Sequence, residues 1–119
     1  MKTYQQNLNE LKTMLETALG DVADVITDDI TQVQSGRLTV FIEPPTLEWE
    51  RWDEPEVTWS IAIVSGSPWN QARSLEDIHH AIGLLTQAQT INLQRASPST
   101  ITTVSGDLAA YDITLNPMD

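Results

Sequence analysis

The chain has 119 residues, with 17 Asp and Glu against 6 Lys and Arg, a formal net charge of −11 and no cysteine. One domain of this length can bury a core without staples. The missing thiols exclude disulfides and thiolate metal sites, and the acidic balance argues against a phosphate-backbone binder or adsorption to anionic membranes.

No apolar run approaches the roughly 20 residues that span a bilayer. Residues Met1 to Asn7 lack the apolar core of a signal peptide, so a soluble, non-secreted chain is expected. The acidity itself reads most simply as solubility. Docking on a basic partner and a DNA-mimicking decoy are the sharper alternatives.

Thr3 can cap a helix from Tyr4 to Leu19, with Gln6 at capping-box spacing. Tyr4, Leu8, Leu11, Leu15, Ala18 and Leu19 form one stripe at helical period, and Gln5, Asn9, Lys12 and Glu16 suit solvent. Gly20 is the expected C-cap, in the left-handed conformation. Val22 to Ile26 reads as a short strand or extended segment. Asp24, Asp28 and Asp29 then invite a calcium reading, but the glycine and terminal glutamate of an EF-hand loop are missing. Solvated acids between elements are expected.

Ser35-Gly36 signals a turn. In Arg37–Glu43, Leu38, Val40 and Ile42 alternate with Thr39, Phe41 and Glu43, and Pro44-Pro45 ends the strand. Thr46–Trp52 reads as an edge strand or an extended arm that carries Trp49 and Trp52 among acids. Asp53-Glu54-Pro55 breaks it. Val57–Val64 is the strongest strand pattern: Val57, Trp59, Ile61 and Ile63 fall on one face, Thr58, Ser60, Ala62 and Val64 on the other. Ser65-Gly66-Ser67-Pro68 stops it.

Ser74 is a natural N-cap for a second helix reaching Ala88, with Asp77 three residues on and acids in the first turn. Leu75, Ile78, Ile82 and Leu85 make its apolar stripe. Thr90–Gln94 looks extended, and Arg95–Ser99, holding Pro98, reads as a polar link. Thr100–Val104, a turn at Ser105-Gly106-Asp107, and Leu108–Leu115 read as a β-hairpin. Asn116-Pro117 ends the domain. The expected fold is α+β over residues 1–119: a mixed, mainly antiparallel sheet with two helices on one face.

Chemistry is hard to find in these residues. His79 and His80 are adjacent, so on a helix they point about 100° apart and make a poor ligand pair. Glu76 could share a face with either, but nothing duplicates the Glu-x-x-His pattern as di-iron bundles do. No G-x-S-x-G elbow and no glycine-rich phosphate loop occurs. No catalytic residue, metal or cofactor is expected. A small enzyme built on Glu76 and His79 or His80 ranks last among the functional readings. Trp49, Trp52 and Trp69 lie in polar or acidic surroundings, which suits interface anchors and equally the rim of a core. Base stacking would face charge of the wrong sign.

Three stretches resemble the small tail-terminator, or tail-completion, proteins of long-tailed bacteriophages and prophages. They are the acidic-aromatic segment leading through Pro55 into Val57–Val64 and Gly66-Ser67-Pro68, the Ser74-Leu-Glu-Asp-Ile helix, and the closing strand Ala110–Leu115. The likeness is one of pattern across most of the chain. It implies a mixed α/β fold with helices on one side of a sheet. It also implies a virion-tail protein assembled in the host cytoplasm, with no enzymatic activity. Such proteins form rings, commonly hexamers, that cap the tail tube, stop its polymerisation and meet the head-tail connector. The implied partners are further copies of the chain, the tube protein and the connector protein, with no membrane and no sequence-specific nucleic-acid binding. No residue-level motif carries over. The candidate intersubunit surface is therefore inferred from the residues themselves: Phe41, Glu48, Trp49, Glu50, Arg51, Trp52 and Trp69. The competing class is an acidic binding module, of inhibitor, antitoxin or DNA-mimic type, on a basic protein.

Overall fold

A computed structural model describes residues 3–33, 36–65, 71–88, 91–103 and 106–115. The expected features at Ser35, Gly66–Trp69, Thr90, Val104-Ser105 and Asn116-Pro117 lie outside the described residues.

The fold is α+β, with two α-helices and mainly antiparallel sheets among the described residues. Helix α1 spans Tyr4–Leu19 and α2 spans Gln71–Gln87. The strands are β1 (Val25–Thr27), β2 (Thr39–Ile42), β3 (Thr46–Arg51), β4 (Glu54–Thr58), β5 (Ser60–Val64), β6 (Leu93–Thr103) and β7 (Gly106–Leu115). Five strands form one sheet in the order β1-β2-β5-β7-β6, with β1 parallel to β2 and the rest antiparallel. Among the described residues, strands β3 and β4 pair only with each other, as a separate two-stranded ribbon.

Local chemistry sets the start of α1. The Thr3 hydroxyl accepts from the Gln6 N–H at 3.2 Å, and the Gln6 side chain accepts from the Thr3 N–H at 2.9 Å, closing the capping box. Leu8, Leu11, Leu15 and Leu19 are buried along one stripe, and Tyr4 at its start stays exposed. The helix ends differently from expectation. Gly20 is right-handed, with φ −56° and ψ −27°. Glycine is suited there by space: a Cβ would lie 2.5 Å from the Glu16 carbonyl oxygen, which already accepts the Gly20 N–H.

The sheet has two different faces. Val40, Ile42, Ile61, Ile63, Ile113 and Leu115 pack with the leucines of α1 and with Ile78, Ala81 and Leu85 of α2 in the main core. Both helices therefore share one face. Ala62, Val64, Leu108 and Ala110 point the other way and form a smaller cluster with Val33, Phe41 and Ile101, to which neither helix contributes.

Four boundaries differ from the sequence expectation. The first strand begins only at Val25, because Val22 and Ala23 donate to the Leu19 carbonyl in a turn after α1. The Val57–Val64 strand is two strands. The period-2 pattern runs through unbroken, since Val57, Trp59, Ile61 and Ile63 all meet the main core. At Trp59, however, the chain leaves the β3–β4 ribbon and enters the five-stranded sheet. Helix α2 begins at Gln71, so Ser74 lies inside it and is buried. Its buried stripe is Ser74, Ile78, Ala81 and Leu85, which turns Leu75 outward and leaves Ile82 half-buried. Finally, β6 is one 11-residue strand that absorbs the expected polar link. Pro98 is accommodated because β6 is the sheet edge, where a missing N–H breaks no inner ladder. Its ladder with β7 runs to Gly106, whose φ of 110° suits the return of the chain there.

Candidate functional site: an acidic, tryptophan-bearing ribbon

The ribbon begins where β2 ends. Glu43 still belongs to the main ladder, its N–H donating to the Ser60 carbonyl at 3.0 Å. The two prolines that follow cannot continue that ladder. The chain then runs out along β3, turns at Trp52 and Asp53, and returns along β4. Leu47 pairs with Val57, and Glu48 with Glu56, so one side of the ribbon is apolar and the other acidic. The register shifts between Glu48 and Arg51, and a bulge of this kind adds twist near the turn.

Among the described residues this element carries the two most exposed aromatic side chains. Trp52 is 93 % exposed, Trp49 60 % and Leu47 46 %. Residues 46–58 hold Glu48, Glu50, Asp53, Glu54 and Glu56 against Arg51 alone. Glu48 directly opposite Glu56 places like charges across a strand pair, which destabilises the ribbon in isolation. An isolated two-stranded hairpin is marginal in water in any case. Exposed tryptophan beside uncompensated acid therefore serves the ribbon poorly as a free-standing element and suits it for contact with something else.

The candidate residues are not all together. Glu48, Trp49, Glu50 and Arg51 lie on β3, and Trp52 is in its turn. Phe41 is on β2, half-buried in the smaller cluster beside Ala62 and Val64. Trp69 lies outside the described residues. Trp59 is buried and stacks on Tyr4, with ring centroids 5.8 Å apart.

The other residues weighed for chemistry are spread out. His79 faces Tyr111, Nε2 to hydroxyl 3.1 Å, with the rings edge to face. Among the described residues no group of three or more His, Asp or Glu is placed to hold a metal ion. The Asp24 carboxylate accepts the Leu38 N–H at 2.9 Å, and Asp28 pairs with Lys12 at 3.3 Å. Asp29 accepts the Thr31 hydroxyl and N–H, which hold its carboxyl below the ordinary range.

One pair escaped the sequence reading. Glu43 and Asp112 meet on the sheet face away from the helices, where the two carboxyls share a hydrogen bond. Burial, then that hydrogen bond, then repulsion from Asp112 push the Glu43 carboxyl up to about 7. The sequence signal was faint: two acids placed on strand faces that otherwise carry Phe41 and Ala110. Because the folded value lies above the ordinary 4.5, the folded state holds this proton more tightly than the unfolded chain. Its contribution is complete below about pH 4.5 and is lost as pH rises through about 7. Glu43 is only half-buried, so solvent screening reduces the effect to on the order of 1 kcal/mol. Denaturant titrations at pH 5 and pH 8 should show this loss, and Glu43→Gln should flatten it.

Among the described residues no helix is long and apolar enough to cross a membrane. Compared with protein-family models and with curated proteins, the chain matches none.

Proposed function

We propose that this chain is a structural assembly protein of the phage tail-terminator type. Copies close into a ring, the ring caps a tail tube, ends its polymerisation and meets the head-tail connector. The observation that carries this reading is the β3–β4 ribbon. It projects from an α+β body with Trp49 and Trp52 exposed among acids. A ring needs a heterologous contact, one surface of each copy against a different surface of the next. A projecting ribbon supplies one half of such a contact. The acid surplus, with a net charge of −11, suits a passage through which DNA must slide without adhering. The chemistry is that of binding, with no cofactor and no catalysis.

Electron microscopy of the concentrated protein, with native mass spectrometry of the same sample, tests the reading. Closed rings of about six copies are expected. The double variant Trp49→Ala/Trp52→Ala should lose them, while its circular dichroism and unfolding midpoint stay close to the parent's. Rings that survive the double substitution remove the ribbon from the proposal. A chain that never self-associates, but is captured tightly by one basic protein, favours the acidic binding module.

A further inference from the structure

Glu43 and Asp112 sit at the joint between the ribbon and the main sheet. Glu43 ends the β2 ladder with its N–H on the Ser60 carbonyl, and the exposed Pro44 follows it. Asp112 lies on β7, opposite Ala62 of β5. Neighbouring strands are about 4.8 Å apart, so roughly 10 Å of sheet separates the two backbones. Between them β5 turns Ser60 and Ala62 to this face, and side chains that short leave room for the two carboxyls to meet above it. The described charges around the pair come from three elements. Arg95 of β6 stands opposite Thr114 on the same face, its Nε donating to the Ser97 hydroxyl at 3.0 Å. Glu48 and Glu56 occupy the same side of the ribbon. Past the end of β1, the Asp29 carboxylate is engaged by Thr31. One cation among several acids leaves the pair short of positive charge, which favours a proton held between the two carboxyls.

The two sides of the ribbon's root are held unequally. On the β4 side Val57 packs against the main core, Trp59 is buried, and the Trp59 carbonyl accepts the Leu115 N–H at 2.9 Å. On the β3 side Pro44 and Pro45 follow Glu43, and neither has an N–H to give. Among the described residues of the ribbon, Val57 alone joins a core cluster. The β3 entry therefore depends on the Glu43 backbone bond and on what the Glu43 side chain grips, which is another acid. With a proton between them, one carboxyl donates its O–H to the other. Without it, two negative charges face each other in a half-buried place and repel.

We propose that Glu43 and Asp112 form a pH-operated clasp on the root of the ribbon. Protonated, the clasp ties the β3 entry to the sheet and fixes the direction in which the ribbon projects. Ionised, it opens, the Glu43–Ser60 bond frays, and the ribbon swings about the Trp59 anchor. Because the folded chain holds the Glu43 proton more tightly than the unfolded chain does, the clasp is closed at acid pH and opens as pH rises through about 7. The device concerns the position of the ribbon and stands whatever the ribbon binds.

Nuclear magnetic resonance of the full-length protein at about pH 5 and about pH 8 tests the clasp, through backbone relaxation and through amide exchange corrected for its intrinsic pH dependence. In the parent, ribbon order parameters should drop from about 0.85 to below about 0.6 at the higher pH. Protection of the Glu43 amide should fall about tenfold, while the amides of Ile61 and Ile63 keep theirs. Glu43→Gln and Asp112→Asn each put a carboxamide donor opposite the remaining carboxylate, so both variants should hold the ribbon at either pH. Glu43→Ala should leave it loose at both. A parent ribbon equally ordered at the two pH values overturns the proposal. So does a Glu43→Gln ribbon that loosens as the parent's does. Loosening that spreads equally to Ile61 and Ile63 would make the pair a stabiliser of the whole fold, and the clasp falls in that case too.

Discussion

Replacing Trp59 by alanine should destabilise the protein by about 3–5 kcal/mol, the range for truncating a large buried aromatic. Trp59 is 2 % exposed and stacks on Tyr4 at the start of α1. Its carbonyl accepts the Leu115 N–H at 2.9 Å, which ties the last strand to the point where β4 becomes β5. The substitution empties space shared by the helix, the sheet and the root of the ribbon. Domains of this size are stable by only about 5–15 kcal/mol, so the variant should lose much of its denaturant midpoint. Urea unfolding followed by far-ultraviolet circular dichroism reads this directly. A loss under about 1 kcal/mol would mean that Trp59 is not part of the core.

The second large effect is a contrast between two aliphatic residues. Ile63→Ala should cost about 2–5 kcal/mol, and Leu47→Ala about 0.5 kcal/mol or less. Ile63 is fully buried on the middle strand of the sheet, beneath both helices. Leu47 is nearly half exposed on a ribbon that pairs with no strand of that sheet. If the two truncations cost the same, the ribbon is packed as tightly as the body. The ribbon would then be part of the body and not an arm. Equal denaturant slopes in both variants would show that the difference lies in stability and not in the extent of unfolding.

The parts of the fold that sequence made legible are those with a local cause. The capping box at Thr3 and Gln6 involves neighbours in the chain, and the leucine stripe repeats at a period one helix must obey. Period 2 through Val57–Val64 also held, since alternation reports which way side chains point. It could not report that the partner strand changes at Trp59, because pairing is set by residues elsewhere in the chain. Pro98 misled for a similar reason. Proline forbids an inner ladder position and tolerates an edge, and only topology says which strand is the edge. Leu75 and Ser74 are adjacent, and local chemistry favoured the leucine for the core. The helix begins earlier and its rotation buries the serine instead. At the candidate site, Trp49 and Trp52 stood out because acids surround them in sequence. Glu43 and Asp112 come together only in three dimensions, from segments with no local signal of their own.

The ribbon also bears on how the chain reaches this structure. Strands β2 and β5 lie side by side at the centre of the main sheet, yet residues 44–59 separate them. As an open loop, that stretch would have to be closed by chance encounter, at an entropic cost that grows with its length. Pairing of β3 with β4 shortens the search, since each step of zipping from the Trp52 turn brings Glu43 nearer to Ser60. An inner contact of the sheet becomes, in kinetic terms, a local one. Proteins rich in such contacts fold faster than their strand content alone suggests.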